Sequence, residues 1–429
     1  MSGCRSILPA RARLVACVAL LTAVCTACGS GPAGPSTSGP GPAPGATTTA
    51  GTTVIATSTP RAATEDAVPR PTAAQATSDT TTKGHPQAGR WSTLPPSPLP
   101  ALQTVTGAWT GRELVVVGEA SDRNGRITAY AAAYDPATRT WRRLPPPSGR
   151  RQHIEGRPSA VWTGREVLVM GGDFHEAYAP DTNRWRHLAG ADFELYGGEG
   201  FALVWTGTVA VTYGGGCCGG PDAVGSAYDP VGDTWRTLDT SLLGARWTSG
   251  AWTGREVVIA GGNGPLRPRT GQGPPPDVVD LRTAAAYSPA TGRWRALPPM
   301  PVAMRGTAVW TGTQVLVLGS AGAVAWSPGP DRWTSLLAGF DDRSDAGVVW
   351  ADGELLVWGG QLWNRTDGWR VPASGLAWAP STGWSRLPVS PLRGRVGMVT
   401  AWTGHQLLVW GGYAALSGGW LTDGAAYTP

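Results

Sequence analysis

Three short motifs, each repeated seven times in one order, predict an all-β fold: a seven-bladed β-propeller whose blades are four-stranded sheets. The first is a Trp, a tight turn and an aliphatic run, with its Trp at 109, 162, 205, 252, 310, 350 and 402. The second is Tyr or Trp two residues before Pro, at Tyr134, Tyr178, Tyr228, Tyr287, Trp326, Trp378 and Tyr427. The third is Trp-x-x-Leu, at Trp141, Trp185, Trp235, Trp294, Trp333 and Trp384, with one copy displaced to Trp91.

Each motif maps onto strands. After the first Trp, six copies continue Thr-Gly and the copy at Trp350 reads Ala-Asp-Gly, so each carries a turn. The runs that follow, such as Leu114-Val-Val-Val117 and Leu407-Leu-Val-Trp410, are continuously apolar and end at Gly. That is the pattern of a strand buried on both faces. These give strands a and b; the aromatic-x-Pro motif ends strand c and the Trp-x-x-Leu motif forms strand d.

The displaced copy is the most informative. The chain stops at Pro429, just after the last Tyr-x-Pro, so the seventh repeat lacks strand d. Residues 90–96 carry the missing Trp-x-x-Leu and are expected to pair with the C-terminal strand. The ring then closes without an open sheet edge. The propeller runs over 90–429, with about 49 residues to a blade.

The strands alternate direction, so a–b and c–d turns share one face and b–c loops and d–a connections share the other. Turns on the first face are short, whereas residues 119–128, 263–283 and 361–374 are long b–c segments. Variable segments on a rigid scaffold are where recognition sits, which points to the long-loop face over the central channel. Just ahead of the inner strands stand Gln103, Arg157, Glu199, Arg246, Arg305, Arg343 and Arg395. Two readings are open for this arginine-rich set. It forms an anion-binding ring at the channel mouth, where guanidiniums suit carboxylate or phosphate, or it ties blades together through backbone carbonyls. The repeat tryptophans read as packing between blades. Trp247, Trp363, Trp369 and Trp420 lie outside the repeat positions and are the better candidates for contact with a ligand.

The aliphatic strand, Gly-Gly, Tyr-Asp-Pro-x-Thr and Trp-x-x-Leu-Pro together resemble the kelch repeat of galactose-oxidase-like propellers, over the whole chain beyond residue 90. In that family an arginine ahead of the inner strand commonly ties blades together, and tryptophans fill the gaps between them. The tryptophan-docking motif of quinoprotein propellers does not fit, because Thr291-Gly-Arg-Trp294 has one residue between Thr-Gly and Trp where that motif has three. Copper oxidases of the galactose-oxidase type need a Tyr-Cys crosslink, two His and a second Tyr. That set cannot be assembled here.

The N-terminus reads as an address. Arg5, Arg11 and Arg13 precede the apolar run 14–27, the layout of a secretory signal. The run is shorter than the roughly 20 residues of a membrane span. Its end, Cys25-Thr-Ala-Cys28-Gly-Ser, resembles the lipobox of bacterial lipoproteins, although Cys25 stands where an aliphatic residue is usual. The resemblance implies a signal peptide over 1–27 and lipidation of Cys28, which would hold the protein on the outer face of the cell membrane; simple secretion is the alternative. Residues 28–89 are rich in Gly, Pro, Ser, Thr and Ala, too poor in large apolar side chains to offset the entropy of ordering, and are expected to be a tether.

The formal charge of +5 includes the three leader arginines, and the balance left without them is too small to argue for nucleic acid. The 22 Trp beside 4 Phe reflect the repeated position, and the near-absence of Lys reads as the bias of a GC-rich genome. Beyond the leader, the cysteines besides Cys28 are Cys217 and Cys218, within a Gly-rich b–c loop of the third blade. Outside the cell they are expected to join as a vicinal disulfide. No metal site is expected, the one cluster being Asp173-Phe-His-Glu176 in a short b–c loop, and no cofactor or catalytic grouping is legible.

The sequence therefore points to a monomeric, membrane-anchored binding or scaffolding lipoprotein that recognises a glycan or protein partner with the long-loop face. The alternative is a carbohydrate-active enzyme resembling the bacterial kelch sialic-acid epimerases (mutarotases), with channel arginines on a carboxylate and Glu199 or His153 moving a proton. Fold alone does not choose between them.

Overall fold

The computed structural model describes residues 89–147, 157–172, 174–189, 200–215, 223–265, 278–336, 339–364, 368–414 and 419–429, all within the compact unit Ala88–Pro429. Seven four-stranded antiparallel sheets form a ring, and among the described residues there is no helix. Blade 1 shows the plan: a is Thr104–Trp109, b is Leu114–Ser121, c is Ile127–Asp135 and d is Thr140–Arg143, hydrogen-bonded in that order. Blades 2 to 6 cover 159–187, 201–237, 250–297, 306–335 and 347–386. The inner strand of each blade lies against that of the next, and blade 7 returns to blade 1.

Blade 7 closes the ring as its sequence requires. Its first three strands are Val399–Trp402, Leu407–Trp410 and Gly424–Thr428, and its fourth is Arg90–Thr93 from the other end of the propeller. Arg90 lies opposite Thr428 and Trp91 opposite Tyr427, antiparallel. The outer edge of the C-terminal strand is thereby paired.

The continuous apolar run of strand b follows from the ring. In a strand, successive side chains point to opposite faces. Leu114 and Val116 pack with Leu408 and Trp410 of blade 7, while Val115 and Val117 pack with Val167 and Val169 of blade 2. Every position of this run therefore faces a neighbouring sheet, and all four are fully buried. Seven apolar clusters among the described residues each join two adjacent blades in this way. Burial of one such Val or Leu contributes roughly 1.5–3 kcal/mol, so the core is distributed round the ring.

The turns are sequence-encoded. After strand a, the hydroxyl of Thr110 accepts from the backbone N–H of Glu113 (3.0 Å) and donates to its carbonyl (3.0 Å). Gly111 takes φ 88°, a value few side chains tolerate. Thr163, Thr206, Thr253 and Thr311 repeat both contacts. Blade 6, which has Asp352-Gly353 instead, makes a two-residue turn with Ala351 directly opposite Glu354 and both turn residues at positive φ.

On the outer strands, adjacent blades are stitched by side chains. The indole N–H of the strand-d Trp donates to the carbonyl of the Pro that ends the preceding blade's Trp-x-x-Leu-Pro: Trp141 to Pro95, Trp185 to Pro145, Trp333 to Pro298 and Trp91 to Pro388, at 2.8–3.1 Å. A second stitch runs through strand-d arginines. Arg142 forks onto Glu113 of its own blade and reaches Tyr178 and Asn183 of the next. Arg186 does the same with Glu166, Tyr228 and Asp233.

Two expectations change at this level. Residues 119–128 are not a loop: strands b and c of blade 1 extend to Ser121 and from Ile127, leaving a tight turn over 122–126. The Phe-His-Glu stretch of blade 2 is likewise strand c, Phe174–Ala179, because Gly171 already lies opposite Phe174. His175 and Glu176 are buried there, His175 edge-on to Trp235 and Glu176 3.3 Å from His187; Asp173 lies outside the described residues.

Candidate functional site at the channel mouth

The seven positions ahead of the inner strands split into two structural classes. Arg246, Arg343 and Arg395 stand six or seven residues before their Trp and are 3 %, 2 % and 0 % exposed. In these blades strand b ends in Gly-Gly, with both glycines at positive φ. The guanidinium reaches the first of them. Arg246 donates to the carbonyls of Gly261 (3.0 Å) and Thr283 (3.3 Å), Arg343 to Gly359 (3.0 Å) and Ser374 (2.7 Å), and Arg395 to Gly411 (3.1 Å) and Asp423 (3.1 Å). Each arginine thus ties the end of strand b to the approach of strand c. Arg343 also forks onto Asp341, and Arg395 meets the Asp423 carboxylate. Burial pulls Arg246, which has no carboxylate partner of this kind among the described residues, down to about 10.

Arg157 and Arg305 stand five residues before their Trp; strand b runs into Gly171-Gly172 in blade 2 and into Gly319-Ser320 in blade 5. Their side chains line a cavity of about 230 Å³ at the channel mouth. Blades 2 to 6 all contribute, through Arg157 and Ser159, Gly200, Trp247 to Ser249, Arg305 to Thr307, and Ser344 with Asp345.

Asp345 was not singled out by the sequence, yet it organises this cavity. It sits at φ 54° in the segment leading to strand a of blade 6, and its carboxylate forms an ion pair with Arg157 of blade 2, across the ring. Its other oxygen accepts from the side-chain amide of Gln361 at 2.6 Å. Burial alone would raise this carboxyl, but the charge and hydrogen bond of Arg157, the charge of Arg305 and the Gln361 bond outweigh it and hold the group below the usual carboxylate range. The signal that could have found it is local: residues 341–345 read Asp-Asp-Arg-Ser-Asp, an acid-rich approach to an inner strand.

Arg305 is half-buried, and among the described residues its guanidinium makes no hydrogen bond or ion pair. Trp247 lines the same cavity, and its indole nitrogen is buried with no hydrogen-bond partner among the described residues. Gln103 lies elsewhere in function: its side-chain oxygen accepts from the Ser121 hydroxyl at 2.9 Å, within blade 1. Glu199, His153, Cys28 and the pair Cys217 and Cys218 lie outside the described residues.

Around the cavity the long b–c segments are partly built as hairpins. Asn263–Pro265 pairs with Val278–Asp280 in blade 4, and Leu362–Asn364 with Gly368–Arg370 in blade 6. The second sets Trp363 directly opposite Trp369, 57 % and 50 % exposed. In blade 7, Trp420 packs at a tilt against Tyr413 with ring centroids 4.8 Å apart and is itself exposed. Among the described residues, no group of three His, Cys, Asp or Glu is placed to hold a metal ion. A wider cleft, about 480 Å³, lies on the opposite face between blades 1 and 2, where Glu113 and Arg142 are already engaged in the stitch described above. The arrangement at the channel mouth can bind and orient a polar ligand. Neither the protein-family models nor the curated proteins compared with this chain give a match.

Proposed function

We propose that the chain is a kelch-type propeller on a lipid-anchored tether: an extracytoplasmic binding lipoprotein that grips a glycan or protein partner with its long-loop face. The observation that carries this reading is the distribution of exposed apolar side chains. Of the large hydrophobic residues that stand exposed among the described residues, Trp363, Trp369, Trp420, Val278, Leu242 and Val389 belong to b–c segments or d–a connections, and Val231 alone to a c–d turn. Exposed apolar groups gathered on one face mark an interaction surface, and tryptophans are the residues that most often anchor one. The charged cavity on the same face adds a polar, orienting element. Cys28, with its lipobox-like surroundings, supports attachment at the outer face of the cell membrane.

The test has two arms. Metabolic labelling with a fatty acid should mark the wild-type chain and leave Cys28→Ala unlabelled and released from the membrane fraction; equal labelling would remove the anchor from the reading. Binding to a panel of envelope polysaccharides and purified surface proteins should be lost in a Trp363→Ser, Trp369→Ser, Trp420→Ser chain that melts like the wild type. Undiminished binding by that triple variant would overturn the assignment of the face.

A further inference from the structure

The cavity at the channel mouth differs from the rest of the long-loop face in being charged. Its described lining carries two guanidiniums, Arg157 and Arg305, and one carboxylate, Asp345, which leaves one positive charge in excess. The oxygens of Asp345 are engaged by Arg157 and by the Gln361 amide, whereas Arg305 acts on it through space. A guanidinium carries five N–H donors in a planar fork that matches a carboxylate, and those of Arg305 make no bond within the described chain. The same lining that keeps Asp345 ionised despite its burial favours a second carboxylate on Arg305. An ionised carboxylate has about four acceptor positions, so Asp345 retains capacity for a donor on the ligand.

Resting on the reading of this face as the binding face, we propose that the cavity binds a small monocarboxylate that carries a hydroxyl or ammonium donor, its carboxylate forked by Arg305 and its donor accepted by Asp345. Size restricts the occupant further. A volume of about 230 Å³ lies below the roughly 300–1,000 Å³ of sites that hold drug-sized ligands. A single sugar acid or amino acid fits that limit, and a longer chain would have to leave through the mouth. Serine and threonine hydroxyls at Ser159, Thr248 and Thr307 supply the remaining polar lining.

The experiment is calorimetric titration of the full chain with D-glucuronate, its neutral counterpart D-glucose, and D-alanine. Saturable binding of glucuronate at least tenfold tighter than glucose, weakened at least tenfold in Arg305→Gln and partly restored in Arg305→Lys, upholds the proposal with a hydroxyl donor. Binding of D-alanine with the same dependence on Arg305 upholds it with an ammonium donor. No saturable binding of either acid up to millimolar concentration, equal affinity for glucose, or affinity unchanged in Arg305→Gln overturns it. Melting curves of both Arg305 variants separate lost binding from lost fold. The same titration on Trp363→Ser, Trp369→Ser chain should be unchanged, so that failure of the carboxylate site and failure of the partner-binding face give different results.

Discussion

The indole N–H of Trp141 donates to the carbonyl oxygen of Pro95 at 3.1 Å, joining strand d of blade 1 to the end of the strand that completes blade 7. On the other side, Trp91 of that closing strand donates to Pro388 of blade 6. Residues 90–96 are therefore bonded to the C-terminal strand and, through these two indoles, to blades 1 and 6.

Removing residues 90–96 exposes the edge of the C-terminal strand, takes the buried Leu94 out of the cluster between blades 7 and 1 and cuts both indole bonds. A loss of several kcal/mol is expected from these combined terms. It would be read as a melting temperature lowered by many degrees, with protease cleavage appearing first in blade 7. Unchanged melting would remove strand exchange as the source of closure.

The same stitch yields an internal control. Among the described residues the indole N–H groups of Trp294 and Trp384 have no partner, and in both cases the preceding blade lacks the Leu-Pro end, reading Leu238-Asp239 and Leu336-Leu337. Replacing Trp333 by Phe removes a satisfied hydrogen bond as well as ring area, whereas replacing Trp384 by Phe removes a buried donor that is already unpaired. The first should cost about 1 kcal/mol more than the second, the ordinary net value of such a bond. Denaturant titration of the two variants measures the difference, and equal costs would refute the role of the proline carbonyl.

Arg395 and Arg305 occupy nominally equivalent places and should behave in opposite ways. Arg395→Ala takes the guanidinium donor from the carbonyl of Gly411 in a buried setting and one of two donors from that of Asp423, which keeps the Gly411 N–H. Since each stranded polar group costs roughly 1–3 kcal/mol, strong destabilisation is expected. Arg305→Ala removes a side chain with no hydrogen bond among the described residues, so stability should change by well under 1 kcal/mol. Thermal melts of the two variants decide it; comparable losses would mean that Arg305 is also structural.

That contrast shows how far the sequence carried. Blade number, strand order and closure were legible because each depends on positions repeated seven times, such as the displaced Trp91. The split among the arginines was present too, in the offset from Trp. The offset is what tells a buried carbonyl clamp from a side chain facing the channel, five residues against six or seven, since Gly-Gly also stands at the end of strand b in the blade of Arg157. Asp345 was not legible in the repeat. Its partner Arg157 is 188 residues away, and only the curvature of the ring brings blade 2 and blade 6 to one cavity. Residues 119–128 misread as a loop because polar side chains at an exposed hairpin tip look the same whether or not the backbone is paired.

Asp345 gives the final prediction, through pH. Its carboxyl is held below the unfolded reference of 3.8 by Arg157, Arg305 and Gln361 against the opposing effect of burial. A group whose pKa is lower in the folded state stabilises the fold above its unfolded value, and this contribution is lost as pH falls through the folded value. Wild-type stability should therefore decline below about pH 4 with a component that Asp345→Asn lacks. The variant, which cannot ionise, should start less stable at pH 7, and the gap should narrow as the wild-type carboxyl protonates. Melting temperatures of the two chains from pH 7 to pH 2 measure this. A gap of constant size across that range would show that the ion pair to Arg157 contributes nothing to stability.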